Sequence, residues 1–214
     1  MKSIDEMLLQ DVWIPFERAS PPLELFGIHD GFDLYIDGCR HLPDCVTVTK
    51  VTGRILNRMY THVGADIVAH SVADCPMFNP IYDYRQEFRL PNMSPTSTLV
   101  LKVYTRDKFT NQLIVVGYSF LNIFLEHGTE SQPSSDTPGL QISLNDGAHQ
   151  LRLFHEGPKG LDPMCEALPR STGARIIPGA SILVRLVKAK VDPQGKVLQV
   201  KIFYCCNEKI KYRT

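Results

Sequence analysis

Phe32-Asp33-Leu34-Tyr35-Ile36-Asp37-Gly38 and Thr98-Leu99-Val100-Leu101-Lys102-Val103-Tyr104-Thr105 are the stretches whose reading decides the fold. In the first, Phe32, Leu34 and Ile36 alternate with Asp33, Tyr35 and Asp37. Successive side chains of an extended chain point to opposite sides, so this is a strand with one face on a core and the other in water. The second stretch repeats the pattern with Leu99, Leu101 and Val103. Outward from these two, strands are predicted at 45–51, 53–57, 82–88, 112–120, 139–144 and 149–154. Only a short helix over 121–127 is suggested. The expected fold class is all-β, an antiparallel two-sheet β-sandwich with its core on the inward rows of Phe32, Leu34, Ile36, Tyr82, Phe88, Leu99, Leu101, Val103, Val115 and Leu151.

The connections divide the chain. Asn145-Asp146-Gly147 supplies residues that accept positive φ, which predicts a hairpin over 139–154. Between 157 and 179, Pro158, Pro163, Pro169 and Pro178 with several glycines read as a linker. Beyond it, 181–189 and 196–206 flank Asp192-Pro193-Gln194-Gly195 and are expected to form an extra β-hairpin. That hairpin either docks on the sandwich or begins a second domain, because two isolated strands are barely stable in water. The expected organisation is therefore an N-terminal extension at 1–23, the sandwich at 24–156, the linker at 157–179, and a hairpin with a basic tail at 180–214.

Of the 214 residues, 43% are hydrophobic and 21% charged, and 23 basic residues balance 23 acidic ones. A chain without net charge has no bulk attraction to nucleic acid, so none is expected as a partner. Asp5, Glu6, Asp11 and Glu17 interrupt the apolar positions near the start, and no run approaches the roughly 18–20 apolar residues of a membrane span. A cytoplasmic chain without a transmembrane segment is expected. Cys39, Cys45, Cys75, Cys165, Cys205 and Cys206 form no C-x-x-C knuckle and are expected to stay reduced.

The order of several segments resembles the C2 domain, the eight-stranded sandwich found in synaptotagmins and protein kinase C. FDLYIDGCRHLPD (32–44), with Leu42, resembles its first strand and following loop. FNPIYDYRQEF (78–88) resembles its N-P-x-W/F signature through Asn79, Pro80, Tyr82 and Phe88, with Gln86 departing from an aromatic position. LVLKVYTRD (99–107) and VVGYSFLNI (115–123), with Gly117, resemble the strand, third loop and glycine-led strand after it, and 139–154 resembles the last two strands. The resemblance spans about 24–156. The wording around GFDLYIDGCRHLPD is also similar to the C-terminal region of the coiled-coil domain-containing protein 17 family, although no heptad-bearing segment is present.

The resemblance raises two site questions. Family members that bind calcium use several loop aspartates, since hard cations need dense oxygen ligands. Here only Asp44 and Asp107 match such positions as vestigial calcium-loop candidates, and Thr105 stands where an aspartate would. Two carboxylates are too few, so no metal is expected. The second question is phosphoinositide contact through a basic sheet face. Lys50, Arg54 and Arg58, spaced by four, would share one side of an unbroken strand, with Lys102, Arg85 and Arg89 nearby.

Other constellations are weaker. Cys39, His41, Cys45, His70 and Cys75 lack zinc-knuckle spacing. Gly117-Tyr118-Ser119-Phe120-Leu121 lacks the second glycine of a nucleophile elbow. No cofactor motif occurs. The expectation is a non-enzymatic, calcium-independent C2-like module that scaffolds a protein partner in a larger assembly, peptide addition to a sheet edge being one contact mode. The alternative is docking on anionic lipid headgroups through Lys50, Arg54, Arg58 and Lys102.

Overall fold

The computed structural model of the chain describes residues 20–27, 30–89, 93–137, 139–157 and 175–189. Through them run β1 (Gly31–Arg40), β2 (Thr49–Leu56), β3 (His62–His70), β4 (Ile81–Phe88), β5 (Thr98–Arg106), β6 (Leu113–Asn122), β7 (Phe124–Glu126), β8 (Ile142–Leu144), β9 (Gly147–Phe154) and β10 (Ile176–Ala189). No helix occurs among the described residues. All strand pairs are antiparallel.

Eight strands follow the order β3-β2-β5-β6-β9-β10-β1-β4. At its middle, β6 and β9 meet through the single pair Tyr118 and Phe154, and there the array turns over into two four-stranded halves. The alternating apolar rows close on one another across the gap. Ile55, Ile67, Leu99, Leu101 and Val103 come from one half; Phe32, Leu34, Ile36, Leu153, Ile182 and Leu186 come from the other, all fully buried. Each such side chain stabilises the fold by about 1.5–3 kcal/mol relative to exposure. The turnover needs Gly117, where a Cβ would lie 2.7 Å from Ile177 Cδ1 and 3.0 Å from the Phe154 carbonyl. Beside it, the Ser119 hydroxyl donates to the Arg152 carbonyl at 3.0 Å.

β7 and β8 form a separate ribbon, extended by a bridge from Leu25 to Ser143. The ribbon brings Phe26 to 5.0 Å from Phe124, which meets Phe32 edge-on at 6.4 Å; Phe32 in turn stacks on Phe88 at 4.8 Å. These rings close the end of the core remote from the 41–48 and 107–112 loops.

The all-β, two-sheet expectation matches this architecture, but several elements differ. Ile142–Leu144 pairs with Phe124–Glu126 and not with β9, so the hairpin over 139–154 does not form. Asn145 redirects the chain: its amide nitrogen donates to the Ile123 carbonyl at 2.9 Å and its side chain to the Asn122 carbonyl at 2.9 Å. The suggested helix at 121–127 is instead the end of β6 followed by β7. The stretches 45–51 and 53–57 merge into one strand, β2.

β3 was not predicted at all. Val63, Ala65, Ile67 and Ala69 do alternate, but two are alanines and only Ile67 and Ala69 are buried. Val115 is half-buried and points outward, because a bulge opposite Val103 and Tyr104 turns Val116 to the core. Leu151 packs against the core edge.

The largest difference concerns the eighth strand. Residues 176–189, expected in the linker and hairpin, form β10, which lies between β9 and β1 and pairs along both. The sandwich therefore does not stop at 156. Ile182, Val184 and Leu186 alternate inward as the period-two pattern requires. The second arm at 196–206, the basic tail, the extension at 1–19 and the linker at 158–174 lie outside the described residues.

Both outer strands are bulged. Between Gly53 and Ile55 of β2, β3 runs from Ile67 to Val63 and gains two residues. Between Ile36 and Gly38 of β1, β4 runs from Tyr84 to Ile81, with Asp83 at a φ of 45°. Bulges break the flat row of backbone donors and acceptors that an added strand needs, which counts against the expected peptide addition at these edges.

Candidate interaction face

Lys50 and Arg54 of β2 and Lys102 of β5 do share the outward face of the β3-β2-β5-β6 half, as period two requires. Arg58 does not join them on a strand, because β2 ends at Leu56 and the chain turns over 57–60. Arg58 Nη1 instead donates to the Ser134 carbonyl, fastening the 131–137 loop. The Asp136 carboxylate completes that fastening by accepting the Ser94 hydroxyl and, at 3.1 and 2.6 Å, the Thr96 amide and hydroxyl.

Each remaining cation has a different environment. Arg54 Nε donates to Asp66 Oδ1 at 2.7 Å across to β3, and this hydrogen bond holds the Asp66 carboxyl below its ordinary range. Lys102 Nζ lies 4.8 Å from the Tyr104 ring centre and 5.3 Å from that of Tyr118, a cation between two π faces. Lys50 is exposed. Arg85 and Arg89, expected near Lys102, belong to the opposite outward face, where both reach Asp33.

That opposite face, on β9-β10-β1-β4, is a closed ionic lattice. Arg85 Nη2 donates to Asp33 Oδ2 at 2.7 Å, and Arg89 Nη2 lies 2.6 Å from Asp33 Oδ1. Glu87 adds 2.8 and 3.1 Å contacts to the same two arginines. Arg185 grips Asp37 through two bonds of 2.6 and 2.7 Å. The Tyr35 ring lies beneath, 4.5 Å from the Arg185 guanidinium carbon and 5.7 Å from that of Arg85. Asp33 and Tyr35, read as solvent-facing from their alternation, are consequently 7% and 2% exposed.

The two loops matched to calcium loops do come together. Lys108 N donates to the Cys45 carbonyl at 2.8 Å, the Thr47 hydroxyl donates to the Arg106 carbonyl, and the Thr105 hydroxyl donates to the Val48 carbonyl at 3.0 Å. Yet the residues do not fit calcium. Asp107 Oδ1 accepts the Thr110 amide at 2.6 Å, the Phe109 amide at 2.9 Å and the Thr110 hydroxyl at 2.9 Å, and these bonds lower its pKa. Thr105 is buried with its hydroxyl engaged, Asp44 is exposed on the neighbouring loop, and no set of three potential ligands occurs among the described residues.

Cys39, Cys45 and Cys75 are free thiols. Burial pushes the Cys39 thiol up to about 12, so it is a packed, un-ionised group at neutral pH. Ser119, in the strand that began like a nucleophile elbow, is 1% exposed and bonded to a carbonyl.

Sequence reading missed Asp66, because β3 was missed, and with it the neutralisation of Arg54. It also missed that Val48, Phe109 and Leu113 stand 72–76% exposed at the loop end. Val48 and Leu113 fall at the ends of predicted strands and Phe109 in a predicted loop, so alternation gave no signal for them.

No helix among the described residues is long and apolar enough to cross a membrane. No family model matches the chain, and no curated protein does. The chain is an antiparallel β protein of two four-stranded halves, and a solved structure titled "Structure of a C2 domain" is similar to it at 12% identity and a TM-score of 0.38, over 75% of this chain and 98% of that one.

Proposed function

We propose that this chain is a calcium-independent, C2-like interaction module that docks a protein partner within a cytoplasmic assembly and performs no catalysis. The observation that carries the reading is the engagement of three of the four candidate cations by groups of the chain itself. A phosphoinositide headgroup calls for several unengaged cations converging on one point. Arg54 is engaged by Asp66, Lys102 by two tyrosine rings and Arg58 by a loop carbonyl, which leaves exposed Lys50 as the unengaged cation of the four. Engaged cations among tyrosines and valines suit a partner that offers apolar and polar groups together.

Co-sedimentation of the chain with neutral and phosphoinositide-containing vesicles, with calcium and with chelator, tests this. The expected result is no pelleting at physiological salt under either condition. Calcium-dependent pelleting would overturn the calcium-independent reading. Salt-sensitive pelleting that is lost on Arg54→Glu would move the assignment to anionic lipid headgroups, for which the shared face of Lys50, Arg54 and Lys102 is the supporting observation.

A further inference from the structure

We infer that the loop end of the β3-β2-β5-β6 half is the docking surface for an acidic protein segment that also carries large apolar side chains. The inference rests on the protein-binding reading above and assigns it a place and a partner chemistry.

Three large apolar side chains stand out into solvent there: Val48 at 72%, Phe109 at 76% and Leu113 at 73% exposure. Strand register makes them neighbours. Thr49 pairs with Thr105, the Thr105 hydroxyl holds the Val48 carbonyl, and Arg106 pairs with Leu113. Directly paired residues share a sheet face, so Arg106 and Leu113 stand side by side at the ends of β5 and β6, while Val48 immediately precedes the first residue of β2 and Lys50 follows two residues on. Phe109 and Lys108 stand on the 107–112 turn.

That turn is rigid. The Asp107 amide donates to the Gln112 carbonyl at 2.8 Å, and the Asp107 carboxylate accepts both the Phe109 and Thr110 amides. Phe109 is therefore presented at a set position, which lowers the ordering cost of binding. The Asp107 charge is turned into the turn, and among the described residues no carboxylate pairs with Arg106, Lys108 or Lys50. Asp44 stands exposed on the adjoining loop, where Lys108 N holds the carbonyl of the next residue, Cys45.

Charge complementarity selects the occupant. Arg106 stands beside Leu113, and Lys108 precedes Phe109 on the 107–112 turn. An anionic bilayer would bring headgroups against exposed Asp44 on the adjoining loop, which repels them, whereas a peptide can leave that residue in water. A peptide alternating carboxylates with apolar residues meets every group on the surface.

The test is to pan a display library of short random peptides against the whole chain, then measure a selected synthetic peptide by fluorescence polarisation. Selected peptides are expected to combine Asp or Glu with Leu, Phe or Trp. Phe109→Asp and Arg106→Glu should each weaken binding at least about tenfold with unchanged unfolding midpoints. Met59→Asp, at an equally exposed residue of the opposite end, should leave binding intact. Binding unmoved by Phe109→Asp and Arg106→Glu would overturn the site while leaving the protein-binding reading in place. Failure to select any peptide, together with vesicle pelleting lost on Phe109→Asp, would overturn both in favour of a membrane. Failure to select any peptide without pelleting would overturn the docking surface alone.

Discussion

Tyr35 on one outward face and Lys102 on the other occupy matching central positions and use the same chemistry with the roles exchanged. Tyr35 is a ring held between two guanidinium groups, each tied to an aspartate of β1, the strand that carries the ring. Lys102 is a cation held between two rings, Tyr104 and Tyr118, which bring no counter-charge. In the first case every charge is answered from within the molecule, and the ring below is sealed from water. In the second the charge is only softened, and the tyrosines stay half-exposed. The difference separates a face that belongs to the fold from one still able to bind.

The sharpest way to break this comparison is to remove a tyrosine from each face. Tyr35→Ala should lower stability by about 3 kcal/mol, since a 2%-exposed aromatic is deleted from beneath its arginines, whereas Tyr104→Ala should cost less than about 1 kcal/mol. Denaturant unfolding reads both, and equal losses would erase the distinction between the faces. A step smaller is the loss of one carboxylate. Asp33→Asn should cost about 2 kcal/mol, less than a fully buried pair because Arg85 and Arg89 remain partly solvated, while Asp66→Asn should leave the midpoint unchanged.

The smallest effect is in titration. The Arg54 hydrogen bond lowers the Asp66 pKa from 3.8, so any stability it adds is present above that ordinary value and is lost as pH falls through the lower folded one. A carboxyl NMR titration should place Asp66 below the usual aspartate range and return it there in Arg54→Gln. A normal titration beside intact Arg54 would mean that the pair is not formed, and would restore Arg54 to the candidate cation cluster.

Much of the sandwich was legible because period two is strongest where one face is dry. Phe32, Leu34 and Ile36, like Leu99, Leu101 and Val103, were assigned inward and are fully buried. The outward residues of the same strand were misread, because alternation reports which side a residue faces and not what lies over it. Asp33 and Tyr35 are covered by arginines of β4 and β10, from 50 or more residues away in the chain. β10 was assigned to an extra hairpin, docked on the sandwich or opening a second domain, because the proline-rich stretch before it looks like a domain boundary, and spacing alone cannot tell a long insertion from a linker. The candidate cations were found on the correct face for two strands, but the neutralisation of Arg54 depends on pairing with β3, whose alanines and glycine leave little pattern.

The placement of β10 between β1 and β9 bears on how the chain is made. β1 is apolar along one side and buried on both, yet the neighbour it pairs with from Gly31 to Arg40 is not complete until residue 189 has been synthesised. Contacts between distant parts of a chain form slowly, because the intervening loop must close first. Until then a nascent chain displays β1 with an unpaired edge, the kind of surface that invites aggregation and chaperone capture. A chain that stopped at 156 would keep that exposed edge for good.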